Sequence, residues 1–143
     1  MGYDAQWQVL NSKDFGVPQN RERVFIIGNL RGQRRPQVFP ITKNSKQTVI
    51  NPLKGKTEYG WHLEQNLYSK DSLCRSLKSS EGSGNKPKII DGVKIRRLTP
   101  IECERLQGFP DGWTEGISDT QRYKCLGNAV TVNVVQQIIR KMI

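Results

Sequence analysis

The stretch Arg21-Glu22-Arg23 runs directly into Val24-Phe25-Ile26-Ile27, and this junction constrains the chain more than any other. Four consecutive apolar residues bounded by polar ones read as a strand buried on both faces. Residues two apart on a strand point to the same side, so both guanidinium groups project together from the mouth of a core element. Before it, "YDAQWQVLNS" alternates Ala5, Trp7 and Val9 with polar neighbours, which fits a half-exposed strand. A loop through Lys13 to Asn20, broken by Gly16 and Pro18, joins the two. Two strands alone make no stable unit, and nothing nearby in sequence covers the Val24 to Ile27 run. The sheet is therefore expected to continue in polypeptide outside these 143 residues.

From Leu30 to about Val93 the character changes. Short β-prone pieces such as "QTVIN" alternate with Gly, Lys, Asn and Ser, and "KSSEGSGNKPK" has no periodicity. This predicts a loop-rich basic module of small strands with little core of its own. Order returns at "TPIECERLQGFP", where Thr99 is an N-cap, Pro100 sits at the first helical position and Glu102 completes a capping box. Gly108 and Pro110 close that helix. "SDTQRYKCLG" repeats the pattern, with Ser118 and Gln121 at its start and Gly127 at its end. In "NAVTVNVVQQIIRKMI", Val130, Val134, Val135, Ile138, Ile139 and Met142 share one face at helical spacing, and Asn133, Gln136, Gln137, Arg140 and Lys141 form the other.

With 23 Lys+Arg against 13 Asp+Glu, the formal charge is +10, the footprint of a polyanion binder, nucleic acid before anionic membrane. No long apolar span, signal peptide or basic amphipathic helix with bulky aromatics supports a membrane role. Cys74, Cys103 and Cys125 are odd in number, far apart and without a CxxC pair, and His62 is the sole histidine. That pattern suggests neither a disulfide framework nor a metal site.

Three blocks together, "PQNRERVFIIG", "RRLTPIECERLQGFPDGW" and "YKCLGNAVTVNVV", resemble in order the last three sequence motifs of the DNA (cytosine-5) methyltransferases. The basic insert between the first two stands where that family keeps its target-recognition region. The resemblance implies an α/β fold: the edge of a Rossmann-like methyltransferase sheet, a small loop-rich β target-recognition region, and C-terminal helices. It places catalytic-lobe strands in residues 1–30, target recognition in 31–95 and helices returning to the catalytic lobe in 96–143. The family's Pro-Cys nucleophile, its Glu-Asn-Val segment and its Phe-x-Gly-x-Gly donor loop do not occur in this sequence. The chain is accordingly expected to be the C-terminal portion of such an enzyme, inactive alone. It would act on double-stranded DNA with S-adenosylmethionine once joined to an N-terminal methyltransferase portion or subunit.

Methylating cytosine C5 requires a base extruded from the duplex and a ring carbonyl polarised while charge develops. By resemblance, Arg23 would reach the flipped cytosine's O2, Arg21 would help hold backbone phosphate and the catalytic loop, and Gln19 would steady the turn at the substrate. Arginine's fixed, permanently charged fork suits both tasks. The bland alternative is a solvated strand end paired with Glu22 or Asp14. Gly127, Asn128 and Val130 would wall the cofactor pocket, although an Asn at the start of the last helix also serves as a plain cap. In the recognition region, Arg75 is the candidate for a base edge. Lys78, Lys86 and Lys88 would contact phosphates, and Gly82, Ser83 and Gly84 would allow close backbone approach. A solvated loop is the alternative there. Arg96, Leu98, Leu106 and Phe109 read as scaffold, and Trp61, Trp113 and His62 as local packing.

Two rival functions stay open from sequence: a DNA-binding module that has lost catalysis, and an assembly subunit for another methyltransferase chain. A restriction-modification context, in the cytoplasm of a prokaryote or its phage and associated with the nucleoid, is implied by resemblance only.

Overall fold

The computed structural model of the protein describes residues 2–33, 36–42, 67–69, 71–79 and 86–143. In chain order the elements are β1 (Tyr3–Asn11), a 3-10 turn (Ser12–Phe15), β2 (Gln19–Asn20), β3 (Glu22–Leu30), β4 (Leu67–Tyr68) and β5 (Cys74–Arg75). They continue with β6 (Lys88–Asp91), β7 (Lys94–Arg97), α1 (Pro100–Gln107), α2 (Asp119–Asn128) and α3 (Val132–Met142). Gly82, Ser83, Gly84, Trp61 and His62 lie outside the described residues.

β1 and β3 pair antiparallel from Tyr3↔Leu30 to Asn11↔Glu22. The pairing puts Gln6, Gln8, Leu10, Arg23, Phe25 and Ile27 on one face and Tyr3, Ala5, Trp7, Val9, Val24, Ile26 and Leu30 on the other. The first face is covered. Val38, Phe39 and Ile41 pack against Leu10, Phe15 and Ile27, joined by Val134 and Ile138 of α3. Two glutamines act there as a substitute ladder. Gln6 accepts from the amides of Val38 and Phe39 and donates to Pro36 O at 2.9 Å. Gln8 accepts from Ile41 N and donates to Ile41 O. Residues 36–41, which the sequence pattern assigns to the recognition region, therefore share the core of the hairpin.

The second face is bare: Trp7 is 66%, Val24 58% and Ile26 70% exposed. The apolar run expected to be buried on both sides is covered on one. The alternation of β1 is likewise inverted, with its polar glutamines inward and its apolar residues outward.

The rest is built on a second cluster, in which Tyr68, Cys74, Leu77 and Ile89 meet Leu98, Cys103, Leu106 and Leu126 from the helical part. β4, β6 and β7 form one three-stranded sheet. β5 pairs in parallel with β2, Gln19 opposite Cys74 and Asn20 opposite Arg75, so β5 runs beside the entry to β3. Burial pushes the thiols of Cys74 and Cys103 up to about 12 and keeps them protonated.

The helix-start signals are realised. Thr99 and Glu102 form the capping box with Pro100 in the first turn, and Gly108 closes α1 at φ 76°. Arg96 grips Glu102 through two 2.8 Å hydrogen bonds, which with the Thr99 donors draws that carboxyl down to about 2. Ser118 caps α2. Gly127 does not end α2; the helix runs through it to Asn128, with Ala129 as C-cap. Asn128 thus sits at the end of α2 and not at the start of α3, whose N-cap is Thr131. α3 buries Val134 and Ile138 but leaves Ile139 and Met142 exposed, so its apolar stripe is only half covered, and Val130, expected on that stripe, precedes the helix.

Glu104, 0% exposed, organises the turn after α1. It accepts from Gly112 N at 2.7 Å, Thr114 N at 2.9 Å, the Thr114 hydroxyl and Arg122 Nη2 at 3.1 Å. Burial favours its neutral form, but these donors outweigh burial and hold the carboxyl at about 2. A folded value below the ordinary 4.5 means the unfolded chain binds more protons in that interval. The stabilisation is complete above about pH 4.5 and is lost as pH falls through about 2. Urea midpoints measured across pH 5 to 2 should fall with acid, and less steeply in Glu104→Gln; an identical pH slope in the variant would contradict this assignment.

Candidate functional site

A cleft of about 520 Å³ opens where three parts of the chain meet. Its walls are Arg21 and Arg23 at the entry to β3, Ser76, Leu77, Lys78 and Ser79 after β5, and Gly127 and Asn128 at the end of α2. Residues from the first and third sequence blocks and from the stretch after β5 thus line one space.

Arg23 is an exposed cation of this cleft, and its side chain donates to Glu22 O at 2.6 Å. Cross-strand pairing with buried Leu10 puts it on the covered face, at the rim. Arg21 lies on the same side one step further in and is only 5% exposed. Its Nη1 donates to Ser76 Oγ at 2.9 Å and Leu77 O at 3.1 Å. Its Nη2 donates to Gly127 O at 3.0 Å and Ala129 O at 2.8 Å. All four acceptors are neutral. Burial and then the nearby Arg23 charge lower the pKa of Arg21 from its ordinary value, yet an arginine starting so high stays protonated. The fork of Arg21, which the resemblance assigns to backbone phosphate and the catalytic loop, is turned inward onto protein oxygens in this structure.

The backbone of Arg21 is equally fixed. Its amide donates to Asn11 Oδ1, and its carbonyl accepts from Ser12 N at 3.0 Å. Ser12 Oγ lies 2.7 Å from Thr131 Oγ1, which donates to Gln107 Oε1, while Gln107 Nε2 donates to Leu126 O at 2.7 Å. One buried polar chain therefore ties the strand entry to the ends of α1 and α2 and the cap of α3.

Gln19 is 0% exposed and donates to Leu106 O. It braces α1 against β2. Gly127 is buried because the Lys78–Ser79 peptide lies on it. A Cβ there would fall far inside contact distance of the Lys78 carbonyl carbon and the Ser79 amide nitrogen. Asn128 is exposed and lines the cleft, and Val130 is 49% exposed outside it. The extended backbone of Ala129 between them offers one wall for a ligand and no complete pocket.

Of the recognition-region candidates, Lys78 is exposed at the cleft. Arg75 is half-buried with Nε and Nη1 enclosed, so part of its fork faces away from any base edge. Lys86 lies 4.0 Å from the ring centroid of Tyr123 as a cation–π contact, and Lys88 is half-buried in β6. Trp113 stacks on Phe109 at 5.7 Å but is 64% exposed. Ser76, Leu77 and Ser79 carry no chemical signature in sequence; their place in the cleft follows only from the β2–β5 pairing.

A sequence profile of the C-5 cytosine-specific DNA methylases matches this chain over residues 1–90 and 56–143. The Type II methyltransferase M.SsoII of Shigella sonnei is 34% identical over an alignment that takes in 100% of this chain and 45% of that protein. The Type II methyltransferase M.Sau3AI of Staphylococcus aureus is 46% identical over 87% of this chain and 28% of its own length. Among solved structures, the Dnmt2 methyltransferase of S. pombe superposes with a TM-score of 0.67 at 18% identity, covering 96% of this chain and 55% of that one. The chain spans about half or less of the length of these curated relatives. Among the described residues, no helix is long and apolar enough to cross a membrane.

The contact at Gly127 gives a direct test of the cleft's construction. Gly127→Ala should destabilise the protein by about 1–3 kcal/mol through overpacking against backbone that cannot rotate away. An unchanged urea midpoint would show that residues 78–79 do not rest on α2.

Proposed function

This chain belongs to the C-5 cytosine-specific DNA methylase family, and from that premise we propose that it forms the C-terminal part of a DNA (cytosine-5) methyltransferase. Its work would be to hold an extruded cytosine and to read the surrounding duplex. The observation that carries the reading is the cleft itself, where an exposed arginine, the recognition segment and the end of α2 converge.

In that reading Arg23 donates to the carbonyl of the flipped base. A fixed, permanently charged donor at that oxygen stabilises the charge that develops when a nucleophile adds to the ring. Lys78, exposed on the facing wall, neutralises backbone phosphate. The nucleophile comes from polypeptide beyond these 143 residues, because no Pro-Cys pair occurs in them. Bound S-adenosylmethionine supplies the methyl group. Asn128 and Val130, both turned outward around the extended Ala129, form one wall of its site, with the glycine-rich part supplied elsewhere. The division of labour follows the segments: residues 1–30 carry the base-holding arginine, 31–95 read DNA with Lys78 and the neighbouring cations Lys86 and Arg75, and 96–143 close the cleft. The setting is a prokaryotic restriction-modification system acting on the cell's own duplex.

The bare face of the β1–β3 hairpin receives the remainder of the enzyme. Tyr3, Trp7, Val9, Val24 and Ile26 are exposed on one side of a two-stranded sheet, a patch of the kind that marks an interaction surface. Covering large side chains of this type contributes about 1.5–3 kcal/mol each. Co-expressed with the complementary portion bearing a Pro-Cys motif, the chain should restore methylation. Trp7→Glu with Ile26→Glu should abolish co-purification and activity together, and assembly at wild-type yield would contradict this placement.

Within the assembled enzyme, Arg23→Ala should lower kcat on the order of 10²–10³-fold, the usual cost of one transition-state donor. Duplex affinity should fall far less. Single-turnover methylation read beside binding by anisotropy separates the two quantities, and an unaltered turnover rate refutes the role of Arg23.

A further inference from the structure

The guanidinium of Arg21 joins two segments that perform different tasks. Ser76 and Leu77 belong to the recognition stretch, and Gly127 and Ala129 to the end of α2. The Gly127 and Ala129 carbonyls lie at a helix C-terminus, where carbonyls lack intrahelical partners, and the Leu77 carbonyl lies outside any strand. The fork is planar and rigid, so it can satisfy all four acceptors in only one mutual arrangement. There is no slack at the far side either, since Gly127 lies directly against the Lys78–Ser79 peptide. Arg23 follows two residues later on the same face of the same strand entry, and the two cations are close enough for Arg23 to perturb Arg21.

We infer that Arg21 is a positioning residue for site discrimination: it couples the seating of the recognition segment Ser76 to Ser79 to the aim of Arg23 into the cleft. The inference rests on the proposed cytosine methyltransferase reading and goes beyond it, because Arg21 touches neither base nor phosphate in this role. When residues 76–79 meet the correct bases, Ser76 Oγ and Leu77 O stay where the fork needs them, and the strand entry carrying Arg23 is held. When a wrong base pair displaces the segment, two of the four acceptors move together and the entry to β3 loses its brace. A mismatch is then penalised in the catalytic step as well as in binding. Recognition and chemistry become one mechanical unit, joined through a side chain that the substrate never contacts.

The test uses the complete enzyme carrying this chain, with methylation of the cognate duplex compared with a duplex altered at one base pair beside the target cytosine. The quantity read is the ratio of kcat/KM for the two duplexes. Partial unfolding scales both values equally and leaves the ratio unmoved, so a merely structural residue would not change it. Arg21→Lys keeps the charge but not the fork and should shrink the ratio by about tenfold or more, the size of one hydrogen bond from a charged donor. Ser76→Ala removes one acceptor and should shrink the ratio by a smaller factor. The double variant should be no worse than Arg21→Lys, because Ser76 acts through Arg21. A wild-type ratio in Arg21→Lys, or effects that multiply independently in the double variant, overturns the inference. If Arg21→Lys yields no folded enzyme, a wild-type ratio in Ser76→Ala overturns it alone. Failure of the parent reading is distinct, because the unsubstituted enzyme would then methylate no cytosine.

Discussion

A buried cation surrounded by neutral oxygens is the constraint on which this structure turns. Removing a guanidinium from water is costly unless its donors are satisfied, and Arg21 meets that demand at both terminal nitrogens, with one hydroxyl and three main-chain carbonyls drawn from distant parts of the sequence, while its Nε is buried without a partner among the described residues. Those carbonyls in turn have no regular partner of their own. Each side therefore needs the other, and the cleft exists because the entry to β3, the stretch after β5 and the end of α2 are drawn to one point. The backbone of the same residue extends the constraint through Ser12, Thr131 and Gln107 to α1 and α3.

Around that point the protein is two-sided. The covered side of the hairpin is sealed by side-chain amides that imitate a neighbouring strand, with Gln6 and Gln8 bonding the backbone of residues 36–41. The other side and the outer stripe of α3 present aromatic and aliphatic residues to water. An amide-lined face closed within the chain beside an apolar face left open fits a fragment whose hydrophobic partner lies elsewhere in the enzyme. It also fits a chain that spans half or less of its relatives' length.

Much of this was legible in the sequence where one residue's chemistry suffices. The Thr99–Glu102 box, Pro100, Gly108 and Ser118 mark helix ends through local backbone needs, and each marks the end it was expected to mark. The family motifs contain two of the cleft's walls, at Arg21 and Arg23 and at Gly127 and Asn128, and the structure brings them together. What the sequence hid depends on partners far along the chain. Gly127 looks like a helix terminator, but its small size answers a peptide bond near residue 78. Gln6 and Gln8 look like the solvent side of a strand until residues 36–41 lie against them. Two arginines two residues apart look alike, and only the ring of acceptors distinguishes the buried brace from the exposed donor. Glu104 gives no hint, inside an ordinary helix, that a loop of later residues will close over its carboxylate.

The division between those two arginines is the central claim, and the most direct measurement is a structure of the assembled enzyme on a duplex whose target cytosine carries fluorine at C5, trapping the extruded base. The account predicts Arg23 within hydrogen-bonding distance of the base's ring carbonyl, while Arg21 keeps its bonds to the carbonyls of Gly127 and Ala129. Finding Arg23 turned to solvent, with the Arg21 fork swung out onto the base or a phosphate, would contradict it.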